Sequence, residues 1–159
     1  MERFRLVKRP NDPYSRGMVE IIPQTGHSDC TTEGIRVQVA ATYLAEHSEP
    51  SLGRFHFAYQ VRLKNVGDRI ATLRSRKWII RNADNEERIV EGPGVVGEYP
   101  RLAPSERYEY VSGSPMNTSW GTMEGYFVWE HEDGSLFQTP IGRFFLAPNT
   151  APISDLEYS

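Results

Sequence analysis

The sequence predicts one all-β domain, an antiparallel β-sandwich of seven to eight short strands, and three observations carry that prediction. From Ile35 onward apolar and polar residues alternate with a period of two, the pattern of strands buried on one face. The alternating runs are short, are separated by Asn, Gly and Asp turn residues, and lack the period of a helix. The 159 residues also include 13 glycines and 11 prolines, which favours many turns over long helices, and the length suits a single core.

Residues 1–33 read as an N-terminal extension, expected to be flexible. Pro10, Pro13, Pro23, Gly17 and the polar run from Thr25 to Gly34 interrupt it, and the apolar stretch 18–22 is its one candidate edge strand. The sandwich is expected over 34–147. Its first strand places Ile35, Val37, Val39, Ala41 and Tyr43 on one face and Arg36, Gln38 and Thr42 on the other. In the second, Phe55, Phe57, Tyr59, Val61 and Leu63 alternate with His56, Gln60, Arg62 and Lys64 up to a turn at Asn65–Asp68. A third runs from Ala71 to Arg81, with Trp78 and Ile80 opposite Lys77 and Ile79, and closes at Asn82–Asn85. A short strand over Glu87–Val90 precedes a glycine-rich loop, and Arg107–Val111 alternates Tyr108 and Tyr110 with Arg107 and Glu109. Ser112–Thr122, with Gly113, Pro115 and Gly121, reads as a long loop that exposes Trp120, whereas Trp78 and Trp129 belong to the core. Met123–His131, Leu136–Thr139 and Gly142–Leu146 complete the set. The tail 148–159 is expected to be mobile, with Ile153 and Leu156 available to dock.

Composition narrows the function classes. The 18 basic and 21 acidic residues give a net charge of −3. Within 34–149 the two signs nearly balance, so there is no electrostatic drive toward nucleic acid. No apolar run approaches a membrane span, and the first residues lack the apolar stretch of a secretory signal, so a cytoplasmic location is expected. Cys30 is the single cysteine, and His27, His47, His56 and His131 have no ligand spacing, so neither a metal nor another cofactor is expected.

One motif suggests chemistry. Gly92-Pro93-Gly94-Val95-Val96-Gly97 matches the glycine fingerprint of dinucleotide sites, in which a helix N-terminus holds the pyrophosphate. Pro100 and Pro104 follow at once, and a proline inside a helix costs about 3 kcal/mol, so no such helix can run from this loop. The acidic residue expected about 20 positions on is missing as well. A β-loop with glycines at positive φ is the simpler reading. The carboxylates of Glu86, Glu87, Glu130 and Glu132 sit beside turns, and Ser112, Ser114 and Ser119 lack a nucleophile elbow, so no enzyme is expected.

Several motifs occur together: Ser75-Arg76-Lys77-Trp78-Ile79-Ile80 with Asp84, Asn65-x-Gly67, and Gly92-x-Gly94-Val95-Val96-Gly97-Glu98-x-Pro100-x-Leu102-x-Pro104. Tyr110-x-Ser112-Gly113, Gly121-Thr122-Met123-x-Gly125-Tyr126 and Phe144-x-Leu146 extend the set. In these motifs the residues from Ile35 to Leu146 resemble the ApaG domain. Three positions depart from the family pattern: Lys77 stands where His is usual, Asn85 where a turn Gly is frequent, and Ser105 where Gly often follows the proline. The resemblance implies a fibronectin type III or immunoglobulin-like sandwich. It also implies a link to cobalt tolerance and magnesium efflux, seen for small bacterial members, and a protein-interaction role, suggested by fusions to F-box and polymerase-interacting proteins.

The expected function is therefore a non-enzymatic binding module for a protein partner, in a monomer or weak homodimer. The candidate binding loop is Gly92, Gly94, Val95, Val96, Gly97 and Glu98, and the candidate interaction surface is Trp120, Thr122 and Glu124. The alternative is a nucleotide- or pyrophosphate-binding accessory protein, with backbone N–H groups of 92–97 forming an anion nest.

Overall fold

A computed structural model describes residues 26–148. It contains nine strands: β1 (His27–Thr32), β2 (Ile35–Tyr43), β3 (Phe55–Asn65), β4 (Ala71–Asn82), β5 (Glu87–Pro93), β6 (Arg101–Leu102), β7 (Arg107–Met116), β8 (Gly121–His131) and β9 (Leu136–Leu146). All pairings are antiparallel, in one sheet ordered β1-β2-β3-β7 and a second ordered β5-β4-β8-β9, with β6 beside the start of β4. The expected sandwich is present. Among the described residues no helix is long and apolar enough to cross a membrane.

The alternation puts the core where the sequence places it. Ile35, Val37, Val39, Ala41, Phe57, Val61 and Leu63 of the first sheet face Leu73, Trp78, Phe127, Trp129 and Phe144 of the second, each at most 2% exposed. Trp78 is the hub, with the rings of Tyr59, Phe127 and Phe144 edge-on at centroid distances of 5.1, 6.3 and 6.0 Å. The buried Trp129 indole donates to Thr139 Oγ1 at 2.9 Å, so its polar atom is satisfied. At one end of the sandwich Asn65, 1% exposed, donates through Nδ2 to the carbonyls of Arg69 and Leu102 and accepts from the Gly67 N–H. That is the physical content of the Asn65-x-Gly67 pattern: one amide closes its own turn through Gly67 and Arg69 and ties that turn to Leu102.

Several boundaries differ from expectation, each for a local reason. His27–Thr32 forms β1, so the sheet begins inside the stretch assigned to the extension; its polar composition suits an edge strand, and a two-residue turn with Glu33 and Gly34 at φ 47° and 85° joins it to β2. Residues 18–22, Ile153 and Leu156 lie outside the described residues. Ser112–Thr122 is not a long loop, because β7 continues to Met116 in register with Phe55 and only 117–120 connect to β8. Leu136–Thr139 and Gly142–Leu146 are one strand, β9, in which Gly142 and Arg143 bulge opposite Glu124. β5 extends through Gly92 and Pro93. With β1 and the two-residue β6 added, and the two halves of β9 merged, the strand count is nine.

The sandwich is asymmetric at its flanks. On one flank β1 lies against β9. On the other, the edge strands β5 and β7 stand apart and leave a cleft between the sheets.

Candidate functional site

The glycine loop is a tight hairpin folded around an arginine. Gly92 and Pro93 pair with Arg76 and Ser75, after which Gly94 turns the chain at φ 61°. Val95 and Glu98 exchange two backbone hydrogen bonds of 2.9 and 2.8 Å, with Val96 and Gly97 at the tip at φ 42° and 81°. Both tip residues are left-handed, as a type I′ turn requires. Val95 is fully buried and pins the hairpin to the core, while Val96 is 54% exposed. A Cβ on Gly94 would stand 2.4 Å from the Glu98 carbonyl oxygen. Arg76 Nη1 donates to the carbonyls of Pro93 and Gly94, each at 3.0 Å, and a Cβ on Gly92 would lie 3.1 Å from that guanidinium.

This geometry bears on anion binding. The Gly94 N–H donates to the Arg74 carbonyl at 2.8 Å, and the N–H groups of Val95 and Glu98 are used within the hairpin. Three of the amides that a phosphate would recruit are therefore already engaged, and two of the loop carbonyls face a cation instead. The residues that follow form β6, with no helix to supply a dipole.

The second candidate surface lies on the outer face of the second sheet. Trp120 is 44% exposed and stacks on Phe145, with ring centroids 6.3 Å apart and planes within 14°. Thr122 pairs with Phe145 across β8 and β9 and with Arg81 across β4 and β8. Glu124 accepts from Arg143 Nε and Nη2 at 3.1 and 2.9 Å, and Arg81 bridges Glu124 at 3.5 Å and Glu87 at 2.5 Å. Ile79 lies opposite Glu124 and is followed across the sheet by Ile89, which is 48% exposed.

The short loop that carries Trp120 is tied down. Thr118 Oγ1 donates to the Trp120 carbonyl at 2.7 Å and accepts from the Ala83 N–H at 3.0 Å. Asn82 Nδ2 reaches both Glu86 and Asn117, while its Oδ1 accepts from the N–H groups of Asp84 and Glu86. The aromatic ring is thus held at the surface rather than carried on a loose tip.

The glycine hairpin and the tryptophan surface do not form one site. Gly94 hangs from Arg74 near the start of β4, and Trp120 adjoins Gly121, which pairs with Asn82 at its end. From Ser75 to Asn82 the strand advances about 23 Å at its usual rise per residue. Of the residues singled out in the sequence, Trp120, Thr122 and Glu124 come together, and Gly92 to Glu98 lie at the opposite end.

A third feature escaped the sequence reading. Tyr59, Arg76, Arg88, Ser112 and Ser114 line a cavity of about 190 Å³ between the open edges of β5 and β7. It shares Ile80 and Arg88 with a groove of about 530 Å³ that runs past Glu87, Pro115 and Met116 to Gly53. Ending the strands at Val90 and Val111 hid the inward register of these polar residues. The signal was present, because Arg88 falls two before Val90, and Ser112 and Ser114 fall two and four after Tyr110. Among the described residues no group of three or more His, Cys, Asp or Glu is placed to hold a metal ion.

Comparison with known proteins agrees with the fold. The family profile described as the ApaG domain matches residues 45–131. A protein named ApaG from Acidithiobacillus ferrooxidans is 45% identical over 116 residues, covering 73% of this chain and 91% of the relative. One from Thiobacillus denitrificans is 47% identical over 113 residues, 71% of this chain and 89% of the relative. Among solved structures, the putative ApaA protein from Bordetella pertussis superposes with a TM-score of 0.71 at 40% identity, covering 80% of this chain and all of the other.

Proposed function

The chain belongs to the ApaG domain family, and on that premise we propose that it works as a non-enzymatic module that binds a protein partner through the outer face of its second sheet. The observation that carries this reading is Trp120: a large aromatic ring, 44% exposed, yet fixed by stacking on Phe145 and by the Thr118 and Asn82 hydrogen bonds. Interfaces draw most of their energy from a few such aromatic anchors, and an anchor already held in place loses little entropy on binding. Thr122 and the Arg81–Glu124–Arg143 network beside it offer polar contacts of fixed geometry. A cytoplasmic setting, and the cobalt and magnesium phenotypes of the family, belong to this reading as effects exerted through the partner.

The test is affinity capture from cell extract with the full chain and with Trp120→Ala. Loss of roughly tenfold or more in recovery of a specific partner, with an unchanged melting temperature, is the expected result. Equal recovery by both proteins would sink the proposal. The nucleotide alternative draws no support from the hairpin, whose amides are largely spent on the protein itself.

A further inference from the structure

The cleft between β5 and β7 has features that its neighbours lack. Most described arginines, including Arg36, Arg69, Arg74, Arg81, Arg101 and Arg143, pair with a carboxylate. Among the described residues Arg76 and Arg88 have no carboxylate partner: Arg76 reaches the carbonyls of Pro93 and Gly94, and Arg88 Nη2 that of Pro115 at 3.1 Å. Both project from inward positions, since Arg88 pairs with the core residue Ile80, and Arg76 lies two residues before Trp78. Both are near enough to Tyr59 to act on its hydroxyl, which is hydrogen-bonded with Ser112. Near Tyr59 and Arg76, the Tyr110 hydroxyl lies buried in a residue only 8% exposed and has no hydrogen-bond partner among the described residues. Two arginines without carboxylates and a serine lining one cavity, with an orphan phenol buried near Arg76, are an unfilled demand for negative charge.

The size of the cavity restricts the ligand. About 190 Å³ lies below the ~300–1,000 Å³ of ordinary small-molecule pockets, so a nucleotide does not fit, whereas a side-chain carboxylate does. The adjoining groove supplies Ile80, Pro115 and Met116 for apolar neighbours of that carboxylate. Its own acids are occupied, Glu87 with Arg81 and Glu86 with Asn82, which leaves Arg88 at the junction as the cation on offer.

We propose that the β5–β7 cleft receives an aspartate or glutamate side chain of an acidic, partly apolar peptide segment, held by Arg88 and Arg76 with Ser112. This rests on the reading of the chain as a protein-binding module and names the chemistry of a partner segment. It also implies that the module grips its partner at a second place, apart from Trp120.

The test is an NMR titration of the full chain that follows the backbone amides of 112–114 and the arginine Nε–H signals. The probe is a blocked six-residue peptide alternating glutamate and leucine; the controls are its lysine counterpart, inorganic phosphate and pyrophosphate. Saturable shifts with the glutamate peptide alone are expected, weakened roughly tenfold or more in Arg88→Gln and only partly in Arg88→Lys, which keeps the charge but not the planar fork. A dispersed spectrum for each variant shows that it is folded. Silence of the cleft at millimolar glutamate peptide, equal shifts in Arg88→Gln, or shifts with phosphate and not with the peptide would each overturn the inference. Because the readout is local to the cleft, a silent cleft together with partner capture lost in Trp120→Ala would remove this inference and leave the binding-module reading standing.

Discussion

Val96 shows how much a single residue records. It is β-branched, yet sits at φ 42° on the tip of the glycine hairpin, where its side chain crowds its own backbone. Asn-Gly is the favoured pair for this turn, so Val96→Asn is expected to raise stability by about 1 kcal/mol, read as a higher urea midpoint at unchanged slope. Asn85 and Ser105, two of the positions where the chain departs from the ApaG pattern, lie at φ 65° and 73°. Glycine at such positions has a conformational reason, which the sequence displayed as a pattern and the backbone now explains. At the third departure, Lys77 holds its ammonium 5.9 Å from the centroid of the Tyr126 ring, a cation–π contact on the outer face. What could not be read was that Arg76 is the post around which Gly92 and Gly94 fold, because β4 and the hairpin meet only through long-range pairing.

At the level of elements, the alternation located most strands and failed at their ends. β2, β3, β4 and β8 have large apolar residues at nearly every inward position, so their period is plain. At their inward positions β1 has Ser28, Cys30 and Thr32, and the second half of β7 has Ser112 and Ser114 before Met116, so period-two reasoning has almost no apolar residue to count. The polar ends of edge strands are where the candidate cleft formed, so the same gap hid both. Gly125 marks the opposite extreme, a central strand pair packed without spare room. It lies opposite Trp78, and an added Cβ would come 1.9 Å from the Lys77 carbonyl oxygen. Gly125→Ala is expected to push β8 from β4 and to cost about 2–3 kcal/mol, visible as a lower melting temperature.

For the whole molecule, the sandwich and its core were legible because they follow from burial, whereas the separation of the two candidate surfaces was not, since it depends on the order of strands in the sheets. The same core predicts behaviour in alkali. Burial pushes the Tyr110 hydroxyl far above an ordinary phenol, and burial also raises Tyr59, although its bond with Ser112 and the nearby Arg76 and Arg88 pull it back. The folded state therefore holds its protons more tightly than the unfolded chain, whose tyrosines ionise near pH 10. Stability from this source is complete below that pH and is lost as pH rises beyond it through the folded values. Urea midpoints measured from about pH 8 to about pH 11 should hold level and then fall, and a midpoint that keeps rising across about pH 10 would contradict the assignment.

The uneven flanks have a further consequence, for motion. With β1 laid against β9 and nothing equivalent joining β5 to β7, small openings of the sandwich have a preferred direction, like a book whose spine is the β1–β9 side. Backbone amides along the free margins of β5 and β7 should exchange with solvent by this local breathing, while those of β2, β4 and β8 wait for global unfolding. The margin that breathes is also the one that carries Arg88, so the seam expected to open coincides with a positive charge that no described carboxylate pairs.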